Sequence, residues 1–255
     1  MEAVEKAGEI VAAGVRGGVR EKGDRDMVTE TDLAVERMVR GFLAERTPGI
    51  AVLGEEEGVS GGVDAEYVWA VDPVDGTANF ARGIPLCGVS VGLVHRGRPV
   101  LGVVDLPFLG ARYHAVVGNG AFLGGRRLRV SGTGVLSEAV VALGDYAVGE
   151  GAEGKNRVRF ALTEVLASRV QRIRMLGSAA VDLVWLAEGK VDASLTLSNK
   201  PWDTAAGVVI AREAGASVLD VDGTPHTARS SATIATAPGI TAQIFALLDG
   251  VGRTP

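Results

Sequence analysis

The stretch Tyr67-Val68-Trp69-Ala70-Val71-Asp72-Pro73-Val74-Asp75-Gly76-Thr77 places two carboxylates, three residues apart, directly after an apolar run. The run predicts a buried strand, and we expect it to stop at Pro73 because proline donates no hydrogen bond to a sheet ladder. Proline and glycine around the carboxylates favour a tight turn that aims them and nearby carbonyls at one point. Oxygen ligands of this kind suit a hard cation such as Mg²⁺. The alternative is an ordinary surface turn, since Asp-Pro and Asp-Gly are common turn sequences.

Two further carboxylates stand at the ends of predicted elements. Glu55 follows the apolar strand predicted for residues 50–53, and Asp203 opens the helix predicted for residues 202–214. Taken singly, the first fits a solvated acidic loop and the second a helix N-terminus that favours an acidic residue. Taken with the aspartate pair above, they make four carboxylates, more than one metal ion needs. Crowded like charges are unfavourable unless cations neutralise them, so the sequence predicts two or more Mg²⁺ ions that share ligands.

Composition excludes several classes of function. The chain has 255 residues, enough for one large domain or two tightly joined smaller ones. A net charge of −5 argues against nucleic acid as a partner, because binding to a phosphate backbone needs clustered basic residues. The single cysteine, Cys87, can form neither an internal disulfide nor a thiolate metal cage, which fits a reducing compartment. No signal peptide or membrane-spanning run is recognisable, so we expect a cytoplasmic protein that makes no membrane contact.

Hydrophobic periodicity predicts an alternation of helices and strands. Apolar residues between Val4 and Val15 recur at helical spacing, residues 21–26 read as a charged loop, and Thr29 with Asp32 resembles a capping box at the start of a second helix. An antiparallel meander follows over residues 89–117. Strands and helices then alternate to the C-terminus, which favours helices layered on sheets. We expect a subdomain boundary near Gly132 to Gly134, which gives an α+β unit over 1–132 and an α/β unit over 133–255.

Six segments of the chain together carry a resemblance to a known family. In chain order they are Val28-Thr29-Glu30-Thr31-Asp32, Leu53-Gly54-Glu55-Glu56, Asp72 to Thr77, Gly118-Asn119-Gly120-Ala121-Phe122, Gly177-Ser178-Ala179-Ala180, and Trp202 to Gly207. The sequence resembles the inositol monophosphatase superfamily of Mg²⁺-dependent, often lithium-sensitive phosphatases. The resemblance implies a layered α-β-α-β-α sandwich, a homodimer, and hydrolysis of a small phosphorylated metabolite.

The resemblance also implies metal ligands. Glu55, Asp72 and the carbonyl of Val74 would hold a first Mg²⁺ ion. Asp72, Asp75 and Asp203 would hold a second, and a third, weaker ion would lie near Glu55. Two ions sharing ligands would clamp an in-line displacement at phosphorus, and no covalent phosphoenzyme would be needed.

Catalytic and substrate-side roles follow from the same resemblance. Thr77 paired with Asp32 would orient the attacking water, with Glu55 as the third catalytic residue. The amides of Gly76 and Thr77 would contact phosphate, as suits a helix N-terminus. The candidate substrate-side residues, two of which lie where the sequence departs from the family, are Asp75, Gly76, Thr77, Ser178, Ala179, Thr196, Lys200 and Asp203.

The sequence departs from the family pattern at one substrate position. Relatives that act on inositol phosphates carry a glutamate seven residues before the last aspartate, where it binds sugar hydroxyls, and here that position is Thr196. Lys200 or Asn199 would instead meet a second anionic or polar group, or Lys200 is a solvated loop residue. Lys22 is the nearest candidate for the basic residue that many relatives place close to the third metal.

Substrate identity is therefore left open by the sequence. Inositol-1-phosphate or a related sugar or polyol phosphate is the first hypothesis. Histidinol phosphate, fructose-1,6-bisphosphate, a 3′-phosphonucleotide and a substrate of secondary metabolism are the alternatives. A different class of function is a catalytically silent, metal-binding scaffold, against which the presence of every expected metal ligand argues.

Overall fold

The computed structural model describes residues 1–14, 20–23, 26–62 and 65–252, with the backbone alone at 20–23, 26 and 27. Its α-helices are α1 (Glu2–Ala13), α2 (Glu30–Arg46), α3 (Thr77–Arg82), α4 (Ala152–Arg169), α5 (Ala179–Ala187), α6 (Pro201–Glu213) and α7 (Thr241–Val251). Its strands are β1 (Arg20–Gly23), β2 (Asp26–Val28), β3 (Ala51–Gly54), β4 (Gly58–Ser60), β5 (Tyr67–Asp75), β6 (Gly88–His95), β7 (Arg98–Leu106), β8 (Ala111–Val116), β9 (Gly120–Leu123), β10 (Arg126–Arg127), β11 (Val140–Leu143), β12 (Arg172–Arg174), β13 (Ala193–Thr196), β14 (Ser217–Leu219) and β15 (Thr233–Thr236).

Two large sheets organise the chain. The first has the order β10-β9-β8-β7-β6-β5-β3-β4 and is antiparallel except where β3 runs parallel to β5. The second has the order β12-β11-β13-β15-β14, with β11 parallel to both β12 and β13. Carboxyl ends of parallel neighbours meet at one edge of a sheet. The residues that follow β3 therefore lie beside those in β5, and the residues that follow β11 lie beside those that follow β13.

Helices fill three layers around these sheets. Helices α1 and α2 pack on the outer face of the eight-stranded sheet, α5 and α6 lie between the two sheets, and α4 and α7 cover the outer face of the five-stranded sheet. This order confirms the expected α-β-α-β-α sandwich. The buried core is built mainly from Val, Leu, Ile and Ala, as the low aromatic content indicates. No helix in the described ranges is long and apolar enough to cross a membrane. The subdomain boundary near residues 132–134 stays a prediction.

Close approach between helix and sheet fixes where α6 lies. A Cβ atom added at Gly92 in β6 would stand 2.8 Å from the Cβ of Ala205, and one at Gly102 in β7 would stand 2.3 Å from the carbonyl oxygen of Ala206. A Cβ at Gly207 would clash in the same way with α5. Only glycine fits these three contacts. The N-terminus of α6, with Asp203 in its first turn, is thereby held against the centre of the eight-stranded sheet.

Two expectations about local structure are wrong. Strand β5 does not stop at Pro73 but runs on to Asp75, because its pairing with β6 shifts register between Asp72 and Asp75. A bulge of this kind accommodates a proline that has no N–H to donate. Of the segment read as a charged loop over residues 21–26, residues 21–23 and 26 belong to an antiparallel pair, β1 and β2, and residues 24 and 25 lie outside the described residues. The helical spacing was predicted to reach Val15, whereas α1 ends at Ala13. Val15 itself lies outside the described residues.

Candidate active site

The four carboxylates predicted to bind metal are brought into electrostatic contact. Glu55 follows β3, and its backbone N–H donates to the carbonyl of Val71 at 3.2 Å. Asp72 is only 2% exposed. Burial raises its pKa well above the usual value, and the negative charges of Asp75, Glu55, Asp203 and Asp32 raise that pKa further. An ordinary surface turn is therefore excluded, because Asp72 lies in the interior among four other acidic groups.

The turn between β5 and α3 is shaped by local hydrogen bonds. The N–H of Val74 donates to Oδ1 of Asp72 at 3.0 Å, and the hydroxyl of Thr77 approaches the carbonyl oxygen of Val74 at 3.0 Å. Gly76 caps α3 with a φ of 89°, a left-handed conformation that favours glycine. A Cβ atom there would also stand 2.9 Å from the carbonyl oxygen of Leu86. This geometry starts a helix immediately after the two aspartates, as the sequence suggests.

Thr77 and Asp32 form the predicted pair, although 45 residues separate them. The hydroxyl of Thr77 lies 3.2 Å from Oδ1 of Asp32. The other carboxylate oxygen, Oδ2, accepts the backbone N–H of Thr29 at 2.9 Å and the Thr29 hydroxyl, so the expected capping box is present. Burial raises the pKa of Asp32, and the hydrogen bonds from Thr29 and Thr77 oppose that shift. The capping hydrogen bonds at the start of α2 thus hold the Asp32 carboxylate so that its other oxygen, Oδ1, lies against the Thr77 hydroxyl.

Asp75 is held from the opposite side by the start of α5. Its Oδ2 accepts the hydroxyl of Ser178 and the backbone N–H of Ala180, the latter at 2.6 Å. Ser178 also caps α5, because its Oγ accepts the N–H of Val181 at 3.1 Å. Burial raises the pKa of Asp75 to about 6, against the hydrogen bonds from Ser178, Ala180 and Ala179. Ser178 and Ala179 therefore meet Asp75 directly.

The residues predicted on the substrate side differ in whether their polar groups are already used within the protein. Thr196 ends β13 and is half-buried, and Lys200 precedes α6, exposed, with its Nζ 5.7 Å from the ring centre of Trp202. The amide of Asn199 is used within the protein: Oδ1 accepts the hydroxyl of Thr233 at 2.9 Å, and Nδ2 donates to the carbonyl of Ser230 at 3.2 Å. Of the two polar residues suggested to meet a second substrate group, Lys200 is thus the available one. The side chain of Lys22 lies outside the described residues.

One acidic residue near this site was not predicted from the sequence. Asp145 follows Gly144 at the end of β11 and is exposed. After burial, its charge is among the causes that raise the pKa of Asp75 and of the buried Asp182. The signal in the sequence was a carboxylate directly after a predicted strand, the same signal that singled out Glu55.

Oxygen donors suited to Mg²⁺ are what this site offers. The donors are carboxylates with a carbonyl beside them, and no softer ligand is among the predicted set. Within the described ranges, no three Asp, Glu, His or Cys side chains converge tightly enough to form a ready-made metal cage. The argument for a metal ion rests instead on the repulsion between these carboxylates. Four acidic neighbours raise the pKa of the buried Asp72, and a cation bound among them would stabilise its anionic form.

Comparison with known proteins agrees with this site. The sequence profile of the Inositol monophosphatase family matches residues 1–252. The probable inositol 1-monophosphatase of Mycobacterium tuberculosis is 39% identical over 235 residues, 92% of this chain and 86% of that protein. A fructose-1,6-bisphosphatase/inositol-1-monophosphatase of Thermotoga maritima is 36% identical over 204 residues, 80% of this chain and 75% of that protein. A solved structure of an IMPase from Thermotoga maritima matches with a TM-score of 0.88 at 33% identity, over 98% of this chain and 95% of that chain.

The layered fold and the relatives of this chain place it in the class of phosphoric monoester hydrolases. The chain belongs to the inositol monophosphatase family, and the resemblance inferred from six short segments is confirmed across nearly the whole sequence. Enzymes of this family depend on magnesium and act on small phosphorylated molecules. The chain is accordingly an enzyme that hydrolyses a phosphomonoester.

Proposed function

We propose that this enzyme hydrolyses inositol-1-phosphate or a closely related polyol phosphate, with two or three Mg²⁺ ions bound among its buried carboxylates. The observation that carries the proposal is the position of Asp72, buried and surrounded by four acidic groups that each raise its pKa. A cluster of this kind is costly in a stable fold unless a cation compensates it. The relatives that are inositol-1-monophosphatases by name support inositol-1-phosphate as the leading substrate.

Each group at the site has a proposed part in the reaction. Glu55, Asp72, Asp75, Asp203 and the carbonyl of Val74 would hold the metal ions. When bound, magnesium supplies Lewis acidity to the attacking water and to the phosphoryl and leaving oxygens.

The remaining groups of the chain would orient the reactants. The Thr77 hydroxyl, fixed by Asp32 at 3.2 Å, positions the attacking water. The N–H groups of Gly76 and Thr77 at the start of α3 face the phosphate, and Ser178 with Ala180 keeps Asp75 in place. These roles match an in-line displacement in which no protein side chain bonds to phosphorus.

A second candidate substrate is a bisphosphate such as fructose-1,6-bisphosphate. The observation that favours it is Lys200, an exposed ammonium group at the start of α6, three residues before Asp203. One relative is also named for both activities. Lys200 would then meet the second phosphate, while Thr196 would make a neutral contact with the sugar.

The metal site is tested by replacing Asp72 or Asp203 with Asn, which keeps the size of the side chain and removes its charge. We expect kcat/KM for inositol-1-phosphate in the presence of Mg²⁺ to fall by roughly 100-fold or more. Glu153→Gln on α4 is the matched control, because that side chain is 95% exposed and leaves the site untouched. Full activity in either Asn variant, or equal hydrolysis in EDTA, would contradict the metal assignment.

Two further proposals concern the protein in the cell. A homodimer is proposed from the family resemblance, and light scattering coupled to gel filtration would measure its mass. A cytoplasmic location is proposed because the chain has a single cysteine, Cys87, which can form no internal disulfide, as suits a reducing compartment. Cell fractionation would test it.

A further inference from the structure

Asp145 lies at the edge of the five-stranded sheet that faces the candidate active site. Strands β11 and β13 run parallel, so the chain leaves both at the same edge. The N–H of Gly144 donates to the carbonyl of Leu195 at 3.0 Å, and a Cβ atom added to Gly144 would lie 3.5 Å from both Cα and Oγ1 of Thr196. Gly144 therefore packs against Thr196, and Asp145 is the next residue along the chain.

The carboxylate of Asp145 is available for a ligand. The residue is exposed, and within the described ranges no hydrogen bond or ion pair engages its side chain. It nevertheless stands close enough to Asp75 and Asp182 that its charge adds to burial in raising the pKa of each. An available carboxylate thus follows a residue that packs against Thr196, and it lies within electrostatic range of an aspartate of the candidate metal site.

We propose that Asp145 is a specificity-determining residue that accepts hydrogen bonds from the hydroxyl groups of a polyol phosphate whose phosphate is held between β5 and α3. This inference rests on the proposed function and deepens it. A carboxylate is an acceptor only, and its hydrogen bonds to hydroxyl donors are stronger than those of a neutral acceptor. Thr196, half-buried at the end of β13 and packed against Gly144, would supply a neutral hydroxyl to the same substrate.

The same charge opposes a second phosphate on the substrate. A negative carboxylate and a negative phosphate repel each other when both lie at a partly desolvated site. Asp145 would therefore favour a polyol that carries one phosphate over a bisphosphate, whereas the positive charge of Lys200 would favour the bisphosphate. The balance between these two charges selects between the two candidate substrates.

Asp145→Asn tests this role, since it keeps the shape of the side chain and removes its charge. We expect KM for inositol-1-phosphate to rise about tenfold, with kcat changed by less than about threefold, because a charged acceptor is lost from substrate binding. The ratio of kcat/KM for inositol-1-phosphate to that for p-nitrophenyl phosphate, an ester without hydroxyls, should fall about tenfold. The rate with fructose-1,6-bisphosphate relative to inositol-1-phosphate should rise.

Glu150→Gln is the matched control, because it removes the same charge from the same exposed segment after β11 and should leave all three substrates unaffected. Unchanged substrate ratios in Asp145→Asn would overturn the inference while the parent enzyme stayed active, and the proposed function would stand. A change confined to the Mg²⁺ concentration needed for half-maximal activity would also overturn it and make Asp145 part of the metal site. A parent enzyme without Mg²⁺-dependent turnover of inositol-1-phosphate would overturn the proposed function and this inference together.

Discussion

Thr77 stands where two separate parts of the sequence meet. Its hydroxyl lies 3.2 Å from a carboxylate oxygen of Asp32 and 3.0 Å from the carbonyl oxygen of Val74. A hydroxyl has one proton and two lone pairs, so it donates to one of these acceptors and keeps lone pairs that can accept a hydrogen bond from water. The negative carboxylate is the stronger acceptor. Asp32 therefore orients the Thr77 hydroxyl so that its free lone pairs can hold a water molecule.

Replacing Thr77 with Ala should lower kcat by roughly 100- to 10,000-fold, the range expected when a group that orients a reacting water is lost. Thr77→Ser keeps the hydroxyl and should retain kcat within about tenfold of the parent enzyme. Steady-state kinetics with saturating Mg²⁺ measures both, and thermal unfolding checks that each variant folds. A Thr77→Ala enzyme with nearly full kcat would remove this residue from the water site.

At the scale of elements, α6 is the helix that joins the two halves of the molecule. It lies on β6 and β7 of one sheet and packs beside α5, which contacts the other sheet. The small residues Ala205 and Ala206 allow a close approach, and the glycines that face them on the sheet complete it. Because the first turn of α6 carries Asp203, this contact sets how near that carboxylate comes to Asp72.

Gly102→Ala should therefore destabilise the protein by more than Gly92→Ala. The added methyl meets the carbonyl oxygen of Ala206 at 2.3 Å in the first case and atoms of Ala205 and Ala206 at 2.8 Å in the second. We expect a loss of about 1–3 kcal/mol in the free energy of unfolding for Gly92→Ala and a larger loss for Gly102→Ala. Gly41→Ala on α2 is the control: nothing lies within 4 Å, so better helix propensity should add about 1 kcal/mol. Urea denaturation measures all three, and equal stability throughout would contradict the close contact.

How much the sequence predicted depends on whether a feature is local. The alternation of strands and helices in the second half of the chain and the capping box at Thr29 follow from local patterns, and the structure has them. The run of β5 past Pro73 was not predictable in this way, because it depends on a register shift in the pairing with β6. Asp145 shows a different limit: its local signal was present, but its importance depends on β11 lying parallel to β13.

The same holds for the candidate site. Its carboxylates were identified from their positions at element ends and from the family resemblance, and they do lie within electrostatic range of one another. The hydrogen bonds from Ser178 and Ala180 to Asp75 cross more than 100 residues of chain, and no local pattern specifies them. The use of the Asn199 amide inside the protein likewise depends on residues brought in from the segment after β14.

At the scale of the whole molecule, buried acids make stability depend on pH. Burial raises the pKa of Asp75 to about 6, and the pKa of Asp72 is also raised well above its usual value of 3.8. Between the unfolded and folded pKa values, the folded protein holds more protons than the unfolded chain. The contribution of Asp75 to stability is therefore fully present below its unfolded pKa of 3.8 and is lost as pH rises through about 6, and the contribution of Asp72 is likewise lost as pH rises.

His226 acts in the opposite direction. Burial lowers its pKa to about 4, so its contribution to stability is present above the unfolded value of 6.5 and is lost as pH falls towards 4. His226 contacts Asn199 and Thr233. Because His226 titrates over the same pH range as the buried acids, a pH profile of stability measured in EDTA alone would mix the two contributions.

The effect of Mg²⁺ separates them. A metal that binds only the folded protein, through deprotonated carboxylates, stabilises it more where those carboxylates are free of protons. We expect the rise in melting temperature on replacing EDTA with Mg²⁺ to be several degrees at about pH 7.5 and much smaller at about pH 5, below the pKa of Asp75. Taking the difference at each pH cancels the contribution of His226, which titrates with or without the metal. In Asp72→Asn the Mg²⁺-dependent rise should shrink at the higher pH, whereas a rise of equal size at both pH values in the parent protein would show that Mg²⁺ binds away from these acids.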